Sequence, residues 1–507
     1  MANGMGSLMV GATGLRSSQT ALNTTAHNLS NVNTEGYTRQ QITFADSTYA
    51  NVFSKSLNKG KYGLGVDIDA ISRIRNEFID RSYRTESSRL GFYESQANAV
   101  YEVEDWFGEM QGVTYQQHIT NLYNAVNELT KNPTSTIARS SLIQNATAFI
   151  DRSEAIYSGL KDYQVTLNTE VNNMVEKINS LGQKIYNLNK GIVKVEAEGV
   201  ERANDLRDSR DLALDELSKY IDIDYYETKD GEVIVSAENV PFITKNDIAK
   251  MSVREEGTYG LLIPQWEGYQ QDVYNFDKQA NNANDTDKGK LKGLLIARGV
   301  IEVNYTDIPV MPERADYDLT TEQGMAEYNS AMDAYQQKQD YYNKYIEPSA
   351  ILSAIAGFDK LVNGIVTAMN DVLCPETTMD TTKELTDADG NILKAEKYVY
   401  NASTHDVLYD SHGNVVAGKE NGDGTYSYEA SEKLYVDANQ EETENIDSMT
   451  YKILDMSKAG YGMDDDETRG VELFKRNGTD RYKQITGADG STIYVRNNLN
   501  VTGFETD

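Results

Sequence analysis

The chain has 507 residues, a length typical of three or four domains. Its formal net charge of −31 argues against the basic surface that nucleic-acid binding needs, and it disfavours docking on anionic lipid. A 39% share of apolar residues is still enough to build hydrophobic cores.

The sequence gives no sign of a membrane segment or of a disulfide framework. It has no run of about 18 apolar residues, and its N-terminus has no basic region ahead of an apolar stretch. We therefore expect no membrane insertion and no cleaved signal peptide. Cys374 is the one cysteine, which excludes an internal disulfide and a cysteine metal cluster within one chain.

Leucines recur every seven residues near the N-terminus, at Leu8, Leu15, Leu22 and Leu29. Such a repeat is typical of a helix that packs lengthwise against another helix. The pattern stops where short polar residues crowd between Asn28 and Gly36, because these side chains bond nearby backbone groups and favour a turn. The residues from 37 to 44 lean to β-branched and aromatic types and predict an extended segment.

This N-terminal region carries a resemblance to a known family. The run Asn-Leu-Ser-Asn-Val-Asn-Thr-Glu-Gly-Tyr at 28–37 resembles the signature of the bacterial flagellar axial proteins, which are the rod, hook and hook-associated proteins. Its extension Thr-Arg-Gln at 38–40, with the chain length, is most similar to the hook-associated proteins at the hook–filament junction. The resemblance implies that the four leucines pack between subunits and that the signature is an elbow. The elbow residues are Asn28, Asn31, Asn33, Thr34, Gly36, Tyr37 and Arg39.

Further along, residues 46–60 lack periodicity and predict a loop, and helical spacing returns over 78–131. A second helical segment, 136–199, carries the most regular apolar stripe in the chain. The stripe comprises Val171, Met174, Ile178, Leu181, Ile185, Leu188, Ile192 and Val195. Such a stripe needs a partner, and the helix predicted over 78–131 is the nearest candidate to cover it.

The rest of the chain alternates between sheet and helix. A period of two between 221 and 263 predicts a small antiparallel sheet. A short apolar helix is expected over 291–300, and a long helix from Thr321 with a break at Pro348. After Pro375, repeated turn motifs between short strands predict an acidic β-rich outer domain.

The predicted fold class is therefore α+β and multidomain, with a long helical coiled-coil or bundle core and antiparallel β-rich outer domains. The expected boundaries are an N-terminal axial helix and signature elbow at 1–45, a helical rod domain at 46–225 completed by 287–374, a small antiparallel β region at 226–286, and an acidic β-rich outer domain at 375–507, incomplete at its C-terminal end. The resemblance implies that 375–466 is an inserted, variable region.

Acidic clusters are the first candidates for chemistry. The charges between Asp205 and Asp211 are expected to form a ladder around the apolar face of a helix, without a catalytic role. Asp387, Asp389 and Asn391 are spaced like calcium ligands, but the glycine and glutamate of a calcium loop do not follow at the required positions. A hairpin turn is the better interpretation.

Other signals for catalysis or cofactors are equally weak. His405 and His412 flank two aspartates, but without a cysteine or a helical spacing they are expected to be loop histidines. The sequence has no G-x-S-x-G elbow and no Walker loop. We therefore expect no catalytic residue, no metal site, no cofactor and no enzyme.

Two hypotheses from different classes remain. In the first, which the resemblance implies, the chain is a structural hook–filament junction protein that polymerises through its heptad helix. Its partners would be the hook protein, the second junction protein, further copies of itself in a ring, and an export chaperone. It would reach the extracellular flagellum through the flagellar type III system, and a hook or rod axial protein is the closer alternative. The second hypothesis is an exported adhesin or enzyme that uses the acidic β-rich domain.

The resemblance also gives an expectation about the terminal helices. A helix that leaves its leucines unburied is marginal alone, so we expect it to be mobile in the free monomer, and strong protection of its amides would contradict this. Members of the family end in a second heptad helix that pairs with the first. Residues 497–507 have no heptad, so either this chain is a fragment or its partner helix is missing, and the chaperone site near that helix is then expected to be lost too.

Overall fold

The computed structural model divides into two compact units. Unit 1 contains residues 1–104, 160–302 and 340–353, and unit 2 contains residues 105–159, 303–339 and 354–507. The structure describes residues 2–52, 60–108, 114–197, 202–257, 260–276, 280–317, 319, 322–381, 385–386, 393, 398–402, 407–409, 415–420, 426–430, 434–435, 449–460, 472–475, 481–486 and 491–497.

The described residues form helices and antiparallel sheets, so the predicted α+β multidomain class is confirmed. The helices are α1 Ala2–Ser30, α2 Glu77–Phe107, α3 Tyr115–Lys131, α4 Thr136–Glu196, α5 Asn204–Tyr220, α6 Lys290–Arg298, α7 Glu322–Tyr341 and α8 Ala350–Leu373. The strands are β1 Gln40–Asp46, β2 Tyr49–Val52, β3 Gly60–Gly63, β4 Val66–Arg73, β5 Ile223–Glu227, β6 Val233–Ala237, β7 Val240–Ile243, β8 Met251–Glu256, β9 Leu261–Trp266, β10 Gln271–Asp272, β11 Glu376–Thr381, β12 Tyr398–Ala402, β13 Val407–Tyr409, β14 Val415–Ala417, β15 Lys419–Glu420, β16 Tyr426–Ala430, β17 Met449–Leu454, β18 Tyr482–Thr486 and β19 Thr492–Arg496.

The N-terminal helix leads into a pair of long strands. After α1 and the signature, β1 pairs antiparallel with β4, and the register places Gln40 opposite Arg73. The loop predicted over 46–60 is wrong where it meets the described residues, because β2 and β3 pair antiparallel there. The residues of β2 show no periodic pattern in the sequence. They form a strand because hydrogen bonds to β3 satisfy their backbone groups.

Helix α4 confirms the predicted rod. Val171, Ile178, Ile185 and Ile192 are fully buried, whereas Val195 at the end of the stripe is 40% exposed. The segment predicted as its partner, 78–131, contacts α4 before the stripe, where the Tyr115 hydroxyl lies 3.2 Å from Ser153 Oγ and Arg152 donates to the Trp106 carbonyl at 3.2 Å. Along the stripe, two three-stranded sheets of unit 1, β5–β6–β7 and β10–β9–β8, lie against the rod.

Three asparagines on α4 hold these sheets, and each pairs with the backbone of a strand through both ends of its carboxamide. Asn179 Nδ2 donates to the Met251 carbonyl at 2.9 Å, and its Oδ1 accepts the Met251 amide at 2.9 Å. Asn189 does the same with Val233, at 2.8 and 3.1 Å. The third, Asn168, accepts the Leu262 amide at 3.1 Å. Each carboxamide thus acts as one residue of a neighbouring strand.

Unit 2 contains a cluster of aromatic rings, and short antiparallel strands follow Pro375. The Tyr115 ring lies 5.0 Å from that of Phe358 and 5.8 Å from that of Phe149. Beyond α8, β11–β17–β19–β18 form a four-stranded sheet, and Tyr428 and Tyr451 belong to a buried cluster there.

Helix α8 follows a break close to the expected one, since a π-helical turn over Tyr342–Ile346 precedes Pro348. Among the described residues α8 is the one helix that is long and apolar enough to cross a membrane. Length and composition alone are weak evidence, because the core helix of a folded protein can meet them equally. Ile351, Leu352 and Ile355 are fully buried within this chain.

Candidate assembly interface

Helix α1 contacts the rest of its chain through small and polar side chains. Ser17, which is only 5% exposed, donates its hydroxyl to the Val66 carbonyl at 3.3 Å. Thr13 donates to the Leu64 carbonyl at 3.4 Å. Gly65, at φ +112°, lies so close to Thr13 that a side chain at position 65 would collide with it. The polar face of α1 therefore lies against the start of β4.

The leucines of α1 lie on the opposite face and are bare. Leu8, Leu15, Leu22 and Leu29 are 75%, 76%, 70% and 74% exposed. Ser17 follows Leu15 by two residues, which is a rotation of about 200° around a helix. When Ser17 faces the body of the chain, the leucines therefore face away from it. Full burial of four leucines contributes roughly 6–12 kcal/mol, which this arrangement leaves unused. A row of exposed leucines on a formed helix is typical of a protein–protein interface.

Residues 27–37 form the turn that the sequence predicts as an elbow. The Asn31 amide and its side-chain Nδ2 both donate to the His27 carbonyl, at 3.2 and 3.0 Å. Thr34 donates its hydroxyl to Asn31 Oδ1 at 3.1 Å. Gly36 has φ +80°, and a Cβ there would lie 3.1 Å from Leu212, so both the backbone and the space favour glycine. These bonds end α1 and redirect the chain.

Asn28 fastens the two sides of the elbow together. Its Nδ2 donates to the Gln40 carbonyl at 2.9 Å, while its Oδ1 accepts the Gln40 amide at 2.9 Å and the Tyr37 hydroxyl at 2.7 Å. Burial, together with the charges of Asp208 and Asp205, raises the pKa of Tyr37, so its hydroxyl remains a donor. The last turn of α1 is therefore bonded directly to the first residue of β1.

The other two signature side chains do not join this arrangement. Asn33 and Arg39 are exposed, and the part of Arg39 that makes a contact is its carbonyl, which accepts the Ile74 amide at 2.9 Å. The structure thus brings together Asn28, Asn31, Thr34, Gly36 and Tyr37. Their functional role stays a prediction, as does that of the four leucines.

An ionic cluster that the sequence analysis missed anchors the elbow to the body of unit 1. We call it the clasp, and it comprises Arg73, Arg75, Arg84, Asp208, Asp211 and Asp215. Arg73 Nη1 lies 2.8 Å from Asp208 Oδ1 and 2.7 Å from Asp211 Oδ2. The other oxygen of Asp208 accepts the Thr38 amide at 3.1 Å, which ties the signature to α5.

The clasp corrects the expected ladder of solvated charges on α5. Leu214 and Leu217 of the apolar face are fully buried, but Asp208 and Asp211 are buried as well. Burial would raise the pKa of Asp211, but Arg75 and Arg73 hold it below its ordinary value of 3.8. Three aspartates on one helical face and three arginines around a strand–helix joint are the sequence signals that could have revealed it.

The described part of the chain shows no group of three or more metal-ligating side chains. Burial raises the pKa of the Cys374 thiol to about 11, so this cysteine is a poor nucleophile. The two remaining candidate sites, the turn around Asp389 and the loop with His405 and His412, lie outside the described residues.

The chain is similar in sequence to known flagellar proteins. Residues 100–331 match the flagellar hook-associated protein FlgK helical domain, and residues 8–38 match the flagella basal body rod protein family. Flagellar hook-associated protein 1 of Bacillus subtilis is 30% identical over 310 residues, which are 59% of this chain and 61% of that protein. The Salmonella typhimurium protein of the same name is 26% identical over 42% of this chain and 37% of its own length.

A solved structure, the flagellar hook junction protein FlgK from Burkholderia pseudomallei, aligns over 73% of this chain and 61% of its own. Its TM-score is 0.38 at 15% identity. The chain spans about three-fifths of the length of its Bacillus relative and less than two-fifths of the Salmonella one. The family matches and the named relatives agree with one another, and the chain is similar to the flagellar hook-associated protein 1 family.

Proposed function

We propose that this chain is a structural subunit of the bacterial flagellum at the hook–filament junction, which polymerises through the leucines of α1. The observation that carries the proposal is the bare row of Leu8, Leu15, Leu22 and Leu29 on a helix whose polar face is already in use. Its proposed partners are the hook protein, the second junction protein, further copies in a ring and an export chaperone. Its proposed location is outside the cell, after type III export without a cleaved signal peptide.

The alternatives receive less support. The rod-protein match covers only 8–38, and a match to the helical domain over 100–331 favours a hook-associated protein over a rod or hook protein. The matches to structural flagellar proteins favour this proposal over an exported adhesin or enzyme. We keep the domain boundaries stated above, at 1–45, 46–225 with 287–374, 226–286 and 375–507, as part of the proposal.

A charge in the leucine row tests the proposal. We expect Leu22→Asp to weaken self-association of the chain about 100-fold, because each contact would bury an unpaired carboxylate. Its fold should persist, since Leu22 is 70% exposed. Sedimentation equilibrium measures the association, and Asn23→Asp is the matched control, with the same charge one residue away and off the leucine face. Equal association of both variants would contradict the proposal.

The elbow is tested separately. Asn28→Ala removes three hydrogen bonds between α1, Tyr37 and Gln40. We expect amides in 37–44 to exchange with solvent at least about tenfold faster, since each bond contributes about 0.5–1.5 kcal/mol. Asn33→Ala is the control, because Asn33 belongs to the same signature but is exposed. Hydrogen exchange with mass spectrometry makes the comparison, and similar rates in both variants would mean that Asn28 does not fasten the elbow.

A further inference from the structure

The hairpin turn between β6 and β7 has an uncommon residue at its first position. Two residues, Glu238 and Asn239, connect the strands, and both have positive φ values, +48° and +64°. This is the geometry of a type I′ turn, in which glycine, asparagine and aspartate are the usual residues because other side chains are strained there. Such strain persists only where the surrounding structure holds the residue in place.

The side chain of Glu238 reaches into a buried site of unit 1. Its Oε1 is inaccessible to solvent and has no hydrogen-bond partner among the described residues. The hydroxyl of Tyr274, a residue that is only 5% exposed, is also buried without a partner in the described part of the chain. The Glu238 amide donates to the Asp222 carbonyl at 3.1 Å, which places the turn against the residues that follow α5. A carboxylate that has lost water without gaining a hydrogen bond is costly.

Charges of both signs surround this site. They come from the residue pair after α5, from the segment before α6 and from α6 itself, and they are Asp222, Asp285, Lys288 and Lys292. Lys288 Nζ lies 2.7 Å from Asp285 Oδ2 and 3.7 Å from Asp222 Oδ2. Lys292 Nζ donates to the Thr286 carbonyl at 2.8 Å. Both lysines are thus engaged by other groups, and the carboxyl of Glu238 is left without a close cation.

These surroundings favour the neutral form of Glu238. Burial is the main reason that its pKa rises from 4.5 to about 7, while the charge of Lys292 opposes the rise and that of Asp222 adds to it. Burial also raises the pKa of Tyr274 well above 10, so its hydroxyl keeps its proton at neutral pH. The carboxyl of Glu238 therefore changes its charge near neutral pH.

We propose that the β6–β7 turn is a pH-sensitive latch, which is closed while Glu238 carries a proton and opens when the carboxyl loses it. In the open state the carboxylate reaches water and the backbone at residue 238 is released from its strained conformation. The bound proton stabilises the closed state fully below the ordinary pKa of 4.5, and this stabilisation is lost as the pH rises through about 7. The inference is independent of the proposed function, because it concerns a turn of unit 1 and not the leucines of α1.

Amide hydrogen exchange over 234–243 tests the latch. Glu238→Gln keeps the size of the side chain but holds it neutral at every pH. We expect the turn of the unaltered chain to exchange faster than that of the variant, by a ratio that is at least about tenfold larger at pH 8 than at pH 5. Glu267→Gln is the matched control, since Glu267 is an exposed glutamate in the turn after β9, and this variant should match the unaltered chain at both pH values. A ratio that is the same at pH 5 and pH 8 would overturn the inference.

The neighbouring charges supply a second test, which separates a titrating carboxyl from a merely structural one. Asp222→Asn removes a negative charge and should move the opening to lower pH, whereas Lys292→Gln removes a positive charge and should move it to higher pH, each by roughly half a pH unit. Each shift is measured by the same exchange ratio, with and without Glu238→Gln in the same chain. Shifts in one common direction, or no shift in either variant, would show that Glu238 does not operate the turn.

Discussion

Replacing Asp211 by asparagine is expected to lower the free energy of unfolding of unit 1 by about 3–5 kcal/mol, because it breaks a buried ionic cluster from one side. Asp211 Oδ2 lies 2.7 Å from Arg73 Nη1 and 3.4 Å from Arg75 Nη1, and Oδ1 lies 3.6 Å from Arg84 Nη2. Asparagine keeps the size but removes the charge. The three arginines of the clasp would then face two carboxylates in place of three. Because Arg84 is only 3% exposed, water cannot compensate the unpaired positive charge.

Urea unfolding can isolate this effect. The chain has two tryptophans, and Trp266 is buried in unit 1 whereas Trp106 belongs to unit 2. In a Trp106→Phe background the fluorescence of Trp266 therefore reports on unit 1. Asp205→Asn is the matched control, since Asp205 is an exposed aspartate in the first turn of the same helix, and its loss should cost about 0.3–1 kcal/mol. A loss below about 1 kcal/mol for Asp211→Asn would refute the structural role of the clasp.

Periodicity predicted the helices but not what covers them. The α4 stripe is buried at the positions that the steps of three and four indicate, because this pattern is a local property of the helix. Its partner is a pair of sheets held through Asn168, Asn179 and Asn189, and asparagine in a helix carries no local sign of such a role. Burial of the stripe was therefore predictable, whereas the identity of the covering element was not.

The same asparagine contact recurs outside the rod. Asn28 pairs with both backbone groups of Gln40, and in unit 2 Asn370 accepts the Phe474 amide and donates to its carbonyl. In each case the carboxamide satisfies a backbone donor and acceptor where a ladder partner would otherwise be needed. The Asn28 contact bridges 12 residues, and Asn28 itself belongs to the signature that the sequence predicts as an elbow. The Asn370 contact bridges 104, which no local pattern reveals.

The sequence analysis did not predict the clasp because its residues are also far apart along the sequence. Arg73 and Asp208 are 135 residues apart, and neither is unusual in its own neighbourhood. Charges along a helix are most often solvated, so a ladder was the natural expectation for α5. The charges on one face of α5 are buried because β4 and the start of α2 bring three arginines to that face. Only the tertiary fold decides which face of a charged helix is buried.

A second salt-bridged carboxylate, Glu196, gives unit 1 a defined response to acid. Arg207 donates from Nε and Nη2 to the two Glu196 oxygens, both at 2.8 Å, and the Ala203 amide donates to Oε1 at 2.9 Å. The hydrogen bonds from Arg207 are the main reason that the pKa of Glu196 falls from 4.5 to about 2. This pairing joins the end of α4 to α5. Its stabilisation is complete above the unfolded pKa and disappears as the pH falls through the folded pKa.

We therefore expect Glu196→Gln to lower the free energy of unfolding by about 3 kcal/mol at pH 6 but by only about 1 kcal/mol at pH 3. At pH 3 the glutamate of the unfolded chain is already protonated. The Glu196–Arg207 pair then contributes less than half of the stabilisation that it gives at pH 6, so replacing Glu196 costs less. Urea unfolding followed by Trp266 fluorescence at the two pH values measures the difference. Glu170→Gln is the control, because Glu170 is an exposed carboxylate on the same helix and its replacement should matter little at either pH. A cost of Glu196→Gln that is the same at pH 6 and pH 3 would show that the Arg207 pairing does not set the acid sensitivity of this unit.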